Sequence, residues 1–553
     1  MKKPAWLLLS LMLVLSMFLA ACSGDKASKE DKQTGDKKEE KSGEPQYGGD
    51  LIVGSTGAPT KFNPLYSTDA SSSDIEDLIF DTLIQSNLKY EPTTEGGLAE
   101  SIEESEDGLT YTVKITDKAK FHDGEPLTAD DVVFTYSIPL SDEYNGQRGN
   151  YFESLEKVEK VDDYTIKFTL NQPDAQFSFI TFASYGILPE HILGDVPIAD
   201  LETHEFNTKN PIGSGPFKFV EWKDGEYVKV EAFEDYWDGR PYLDTLTYKI
   251  VPDANAMLAQ LQNREVDYWP AVTPADVPAV EIFADASSLK LEEGLAFSYT
   301  YFAPNIRNEL FKDKKVRQAI THAINRQEIV DVVMEGRGEV AHVPETPLSW
   351  AYNPDVPKFD FDPKKAKKML EEAGWKPGAD GILEKDGKKF SFEIKTNKGN
   401  SVREDIVVIL QKQLKEVGIE AKPQVMEFSA LINDINPPNW NFDAIVLGWS
   451  LGLDPDPSGI FHTKWIEAGN NFIAYSNPDL DKLMEEQLKE LDKEKRKKML
   501  GEIQQKLAED QPYSFLYYPM EYRAMPANLH GYEFHAKKQL YNAHKWWLEQ
   551  EKK

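Results

Sequence analysis

The sequence predicts an α/β protein built from more than one domain. Three observations carry this. A chain of 553 residues exceeds the span of a single hydrophobic core. Short runs with apolar residues at every second position read as strands, and the second half alternates strands with capped, helix-periodic stretches. With 40% hydrophobic residues, 24 tyrosines, 28 phenylalanines and 11 tryptophans, there is apolar surface enough to fill several cores.

The chain opens with Met1-Lys2-Lys3 and an apolar run over residues 7–19, a combination too short to span a bilayer comfortably and typical of a secretory leader. It ends in Leu19-Ala20-Ala21-Cys22, which resembles the lipobox of bacterial lipoproteins. That resemblance implies cleavage after residue 21 and lipidation of Cys22, and two acyl chains anchor stably where one does not. Cys22 is the only cysteine, so no intrachain disulfide and no cysteine-based metal or redox site can form. Residues 23–46 carry charge and Gly, Ser, Lys and Glu without hydrophobic periodicity, and read as a disordered tether spanning roughly 25–30 Å.

From Tyr47 the pattern is that of a folded protein. Leu51-Ile52-Val53 reads as a strand, and Phe62-Asn63-Pro64-Leu65 as a turn leading into residues 67–73. Tyr111, Val113 and Ile115 alternate, as do Tyr164, Ile166, Phe168 and Leu170. Between them Asp123-Gly124 marks a turn, and Thr128 with Asp131 forms a capping box that opens a helix. Trp222 to Tyr227 carries an Asp-Gly hairpin turn. Val316, Ala319, Ile320, Ala323 and Ile324 make one apolar helical stripe. Asp362 caps a helix with Pro363 at its first position and Gly374 at its end. Ser401 with Glu404 gives a further capping box, closed by Gly418. Asn477-Pro478 starts a long amphipathic stretch that breaks near Asp492. A strand over residues 444–447 runs into the segment 448–457, read as a rigid loop in which two prolines fix the backbone and Asp454 and Asp456 offer carboxylates.

Several of these segments together resemble solute-binding protein family 5, the peptide-binding subunits of ATP-driven importers. They are Phe121-His122-Asp123-Gly124 with the helix that follows, Gly213-Ser214-Gly215-Pro216-Phe217, and Tyr236-Trp237-Asp238-Gly239-Arg240-Pro241. Val316-Arg317-Gln318-Ala319-Ile320, Asp362-Pro363-Lys364-Lys365-Ala366 and Gly448-Trp449 complete the set, in the family's order. The resemblance covers everything after the tether and is nearest the Gram-positive oligopeptide-binding lipoproteins. It implies a periplasmic-binding-protein type II fold: two lobes joined by crossing strands, with a domain inserted into the first. Lobe one would use about 47–90, 200–300 and 512–553, the inserted domain 91–199, and lobe two 301–511. The crossings would fall near 297–305 and 513–518.

The resemblance also implies a function: a lipid-anchored, extracytoplasmic, monomeric subunit that engulfs extended peptides and passes them to an ABC permease and its ATPase. Ligand contacts would come from Gly448, Trp449 and Ser450, from Thr68, Ala70 and Ser71, and from Tyr301, Asn305 and Tyr517. In the peptide-binding relatives a carboxylate three residues after the loop tryptophan meets the ligand amine. Here that position is Gly452, and Asp454 and Asp456 are the nearest replacements. An oligosaccharide binder of the same fold and a surface peptide sensor are the alternative readings.

Composition excludes other classes. The formal charge of −32 repels nucleic acid. No His-Glu-x-x-His and no phosphate-cradling Gly-Lys-Ser/Thr segment occurs, and neither catalysis nor a cofactor is expected. Asp454, Asp456 and Ser458 imitate the start of a calcium loop, but the twelfth position is Trp465 and prolines interrupt it, so no metal is expected either.

Overall fold

The computed structural model describes residues 43–550 apart from position 468. The leader, Cys22 and most of the tether lie outside the described residues. From Pro45 onward the described residues form one compact unit.

Two packed regions share the first part of the chain. A four-stranded sheet runs in the order Asp50–Ser55, Thr245–Ile250, Tyr227–Ala232 and Phe217–Lys223, with the first pair parallel. Leu51 and Val53 point inward because alternate residues share a face. The inserted region contributes an antiparallel sheet ordered Ala99–Glu104, Thr110–Ile115, Thr165–Leu170 and Leu155–Asp162. One continuous core, from Leu51 and Phe62 through Tyr111 and Phe168 to Trp546, fills both. The helix Ala129–Ser137 starts at the expected capping box, with Thr128 and Asp131 satisfying each other's backbone N–H groups.

An eight-stranded sheet runs through the second lobe and on into the first. Its main order is Trp269–Val272, Ser514–Pro526, Ser298–Pro304, Ala444–Ser450, Ser391–Asn397 and Glu420–Met426. Helices Lys314–Ala323, Pro363–Glu372 and Ser401–Glu416 pack on one face and Pro478–Gln487 and Lys493–Asp510 on the other. The stripe of Val316, Ala319, Ile320, Ala323 and Ile324 is fully buried. Asp362 and Asn477 cap their helices as their sequences predict, and the break near Asp492 separates two helices, the second capped by Asp492 itself. One cap differs. Asn400, not Ser401, accepts from Arg403 N–H, and Glu404 reaches back to Gly399 N–H. The longer asparagine side chain takes the cap one residue earlier, which leaves Ser401 inside the helix.

The strand Ser514–Pro526 joins the lobes. Its C-terminal half pairs with Leu289–Leu295, beside the core of Val251, Met257 and Trp269. Its N-terminal half pairs with Ser298–Pro304, inside the second lobe. Ala296 N–H donates to Pro519 O (2.9 Å) at the changeover. Two chain segments therefore cross side by side.

Candidate functional site

The site follows from an incomplete ladder. Ala444–Ser450 is paired along its whole length with Ser298–Pro304. On its other side Ser391–Asn397 meets it only at Ala444 and Ile445, with Thr396 Oγ1 adding a bond to Val446 O (2.9 Å). The register decides which backbone groups are left. Leu451 N–H donates to Phe297 O and Asn305 N–H to Asp443 O, both at 2.8 Å. Odd-numbered residues therefore exchange bonds with the first neighbour, and even-numbered residues point the other way. Gly448 and Ser450 turn their N–H and C=O groups to an edge that no strand among the described residues covers.

This corrects the reading of 448–457 as a loop from its first residue. Gly448, Trp449 and Ser450 are strand, held by Thr300, Tyr299 and Ser298. The alternation continues through Gly448, where a glycine hides the period in the sequence.

Each face of this edge has its own lining. Trp449 is half-buried, lies parallel to Tyr301 and Phe472, and points Nε1 at Tyr513 Oη (3.5 Å). On the opposite face Arg403 lies over Gly448. A Cβ added at Gly448 would stand 3.1 Å from Arg403 Nη2 and 3.2 Å from Tyr299 O, so the absent side chain makes room for the guanidinium. Arg403 Nη1 donates to Asn397 Oδ1 (2.8 Å), a neutral partner, and no carboxylate among the described residues pairs with it. Burial pulls its pKa down, opposed by Tyr517 and Tyr301. A guanidinium held beside an open strand edge without a counter-charge is placed to receive a carbonyl or carboxylate.

The expected carboxylates are engaged elsewhere. Asp454 is held by Arg496 through both oxygens, at 2.6 and 2.7 Å. Asp456 Oδ1 accepts from Ser458 Oγ (2.5 Å) and Gln487 Nε2 (2.7 Å). Neither is a free carboxylate, because partners 42 and 31 residues away in sequence claim them. Three further expected contacts are packing residues. Tyr301 is 1% exposed and stacks on Tyr513 at 4.3 Å. Asn305 spends its side chain on Phe442 O (2.9 Å) and Arg307 N–H (3.1 Å). Tyr517 is buried beside Thr300.

The facing wall comes from the first lobe. Asp69 caps the helix Ala70–Ile79 through Ser72 N–H, leaving Thr68 and Ala70 exposed at its start and Ser71 buried in its first turn. One turn on, Asp74 accepts from Tyr248 Oη (3.0 Å). Asp77, a further turn along, pairs with Lys538 (3.2 Å). The neighbouring Lys537 reaches across to the second lobe, where its Nζ donates to Leu451 O (2.8 Å). The lobes also meet through the inserted region, where Ala175 N–H donates to Leu488 O (2.8 Å) and Lys493 pairs with Glu91.

Sequence reasoning missed Arg403, Asp74 and Lys537. Arg403 carried one readable signal, an arginine at the start of a helix, where the dipole disfavours positive charge. Asp74 and Lys537 carried none, since each is distinguished only by what the fold sets beside it.

A two-lobed α/β body with crossing strands and an open strand edge between the lobes defines a solute-binding protein. Residues 93–472 match the family described as bacterial extracellular solute-binding proteins, family 5. The chain belongs to that family. It is 54% identical over 550 residues to the oligopeptide-binding protein AppA of Bacillus subtilis, covering 99% of each chain. It is 28% identical over 506 residues to the dipeptide-binding protein of Escherichia coli, covering 87% of this chain and 91% of that one. Among solved structures, AppA of Bacillus subtilis in complex with a nonapeptide superposes with a TM-score of 0.75 at 55% identity, covering 92% of this chain and all of that one, 100%. The substrate-binding protein CtaP of Listeria monocytogenes gives a TM-score of 0.81 at 31% identity, covering 91% and 100%.

Proposed function

We propose that this protein is the oligopeptide-binding subunit of a bacterial ABC importer. The observation that carries the reading is the uncovered edge at Gly448 and Ser450, between two lobes that meet across it. An extended peptide presents a backbone N–H and C=O on each side, and each such group buried without a partner costs about 1–3 kcal/mol. Adding the peptide as a strand to this edge satisfies both partners without reading side chains. The likeness to AppA, whose solved complex holds a nonapeptide, supports the ligand class. Arg403 offers the charge for a ligand carboxylate, and Trp449 and Ser450 border the edge on either side of it.

In this reading the lobes are 47–90, 200–300 and 512–553 for the first and 301–511 for the second, with 91–199 inserted. Cys22 carries the lipid, residues 23–46 tether the monomeric body outside the cytoplasmic membrane, and the closed complex delivers its peptide to the permease. Binding and release need no chemistry, so the protein is not an enzyme.

Isothermal titration with a mixed library of free peptides tests the reading. Saturable heat with peptides and none with cello-oligosaccharides is the expected result. Heat only with sugars, free amino acids or nickel would overturn it.

A further inference from the structure

With Asp454 and Asp456 committed inside the second lobe, the counter-charge for a peptide's terminal amine has to come from elsewhere. We infer that Asp74, on the first lobe, is the carboxylate that receives the ligand's free amine; this rests on the peptide-binding reading above.

The other acidic groups beside the two lobe surfaces are committed. Asp69 caps its helix through Ser72 and accepts from Thr60 Oγ1 (2.7 Å). Asp454 is bound bidentate by Arg496, and Asp456 is tied to Ser458 and Gln487. Asp77 pairs with Lys538 (3.2 Å) and Glu521 with Arg523 (3.4 Å). Glu76 bonds Ser67 Oγ (2.8 Å) and is only 7% exposed. Glu345 is 5% exposed and accepts from Thr346 N–H (3.0 Å). Among the described residues, Asp74 alone in this set is half-buried, has no ion pair, and has one oxygen without a partner.

Its surroundings are built for an ammonium group. Tyr248 Oη bonds Asp74 Oδ2 (3.0 Å) and Ser55 Oγ (2.9 Å), and Ser55 in turn bonds Gly57 N–H and O. This chain of hydroxyl groups fixes the Oδ2 side of Asp74 and leaves Oδ1 for a ligand. A Cβ at Gly57 would stand 2.5 Å from Ser71 Oγ, so a side chain there would push the Ser71 hydroxyl aside. Asp74 lies one helical turn before Asp77, on the same face, and Asp77 holds Lys538 while Lys537 touches Ser450 and Leu451. Asp74 therefore lies on the side of its helix turned to the strand edge that takes the peptide.

The electrostatics agree. Burial raises the Asp74 carboxyl to about 7, with Asp77 and Asp69 of its own helix adding to the rise. Tyr248, from the strand Thr245–Ile250, and Arg523, from Ser514–Pro526, oppose it. A carboxyl in this state is about half protonated at neutral pH, and an arriving ammonium drives the proton off. Binding should release protons near pH 7, and affinity should rise with pH through that region until the ligand amine itself deprotonates near pH ~8.

Titration calorimetry at pH 7, in two buffers of different ionisation enthalpy, tests this with a nonapeptide and its N-acetylated form. For the wild type, proton release with the free peptide and none with the acetylated one is expected. Asp74→Asn should lose tenfold or more in affinity for the free peptide, keep its affinity for the acetylated form, and abolish the release. Equal losses for both peptides, or no proton release by the wild type, would overturn the role of Asp74 while leaving peptide binding intact. Failure of the wild type to bind either peptide would overturn the peptide reading and this inference with it.

Discussion

Arg496 holds both carboxylate oxygens of Asp454, with their side chains only 6% and 5% exposed. Arg496 Nε also donates to Gln487 (3.0 Å), whose amide donates to Asp456. Arg496 Nη1 lies 3.5 Å from Ala175 O of the inserted region. The turn after the strand Ala444–Ser450 is therefore pinned to a helix of its own lobe and, through the same guanidinium, to the inserted region.

Removing one partner of a buried ion pair leaves the other charge desolvated and alone. Asp454→Asn should lower unfolding stability by about 3–5 kcal/mol, measured by urea denaturation. Asp456→Asn, whose partners are neutral, should cost less. The reverse order would place the weight of the turn on Asp456.

Gly448 leaves room for Arg403 and lies on the edge that a peptide would join. Gly448→Val needs no unusual backbone angle, but its side chain would displace the guanidinium. Peptide affinity should fall at least tenfold while the melting temperature changes little. Retained affinity would show that the ligand lies elsewhere.

Among the described residues no carboxylate pairs with Arg403, which leaves it open to a ligand carboxylate in the proposed reading. Arg403→Gln should weaken binding of peptides with a free C-terminus several-fold and leave C-terminally amidated peptides unchanged, read by calorimetry. Loss of both alike would make Arg403 a scaffold for Asn397 and the strand edge.

Burial raises the Glu345 carboxyl to about 8, with Asp454 adding to the rise. The unfolded chain ionises first, near pH ~4, so the stabilisation from keeping Glu345 protonated is complete below that pH. It is lost progressively as pH rises through about 8. Glu345→Gln should therefore raise the melting temperature at pH 8 by a few degrees and change it little at pH 4. An equal effect at both values would contradict the assignment.

What the sequence made readable was local. Caps at Thr128, Asp362 and Asn477, the break near Asp492, the hairpin at Asp224-Gly225 and the stripe on Lys314–Ala323 depend on residues within a turn or two of one another. The family motifs carried the two-lobed architecture, since most of them are fold devices. The details of the site were not readable, because they depend on distant partners. Asp454 looked available until Arg496, 42 residues on, closed over it. Tyr301 and Asn305 looked like cleft residues because an aromatic crossing strand and an aromatic cleft wall have the same composition. Gly448 to Ser450 looked like a loop because glycine conceals strand alternation, and the pairing that makes them strand comes from Ser298–Thr300.

The central claim is that a peptide adds to the uncovered edge at Gly448 and Ser450. Amide hydrogen exchange with and without a saturating nonapeptide measures this directly. The amides of Gly448 and Ser450 should become strongly protected, while that of Trp449, already turned to the neighbouring strand, should change little. Tight binding with no added protection at Gly448 and Ser450 would contradict the account.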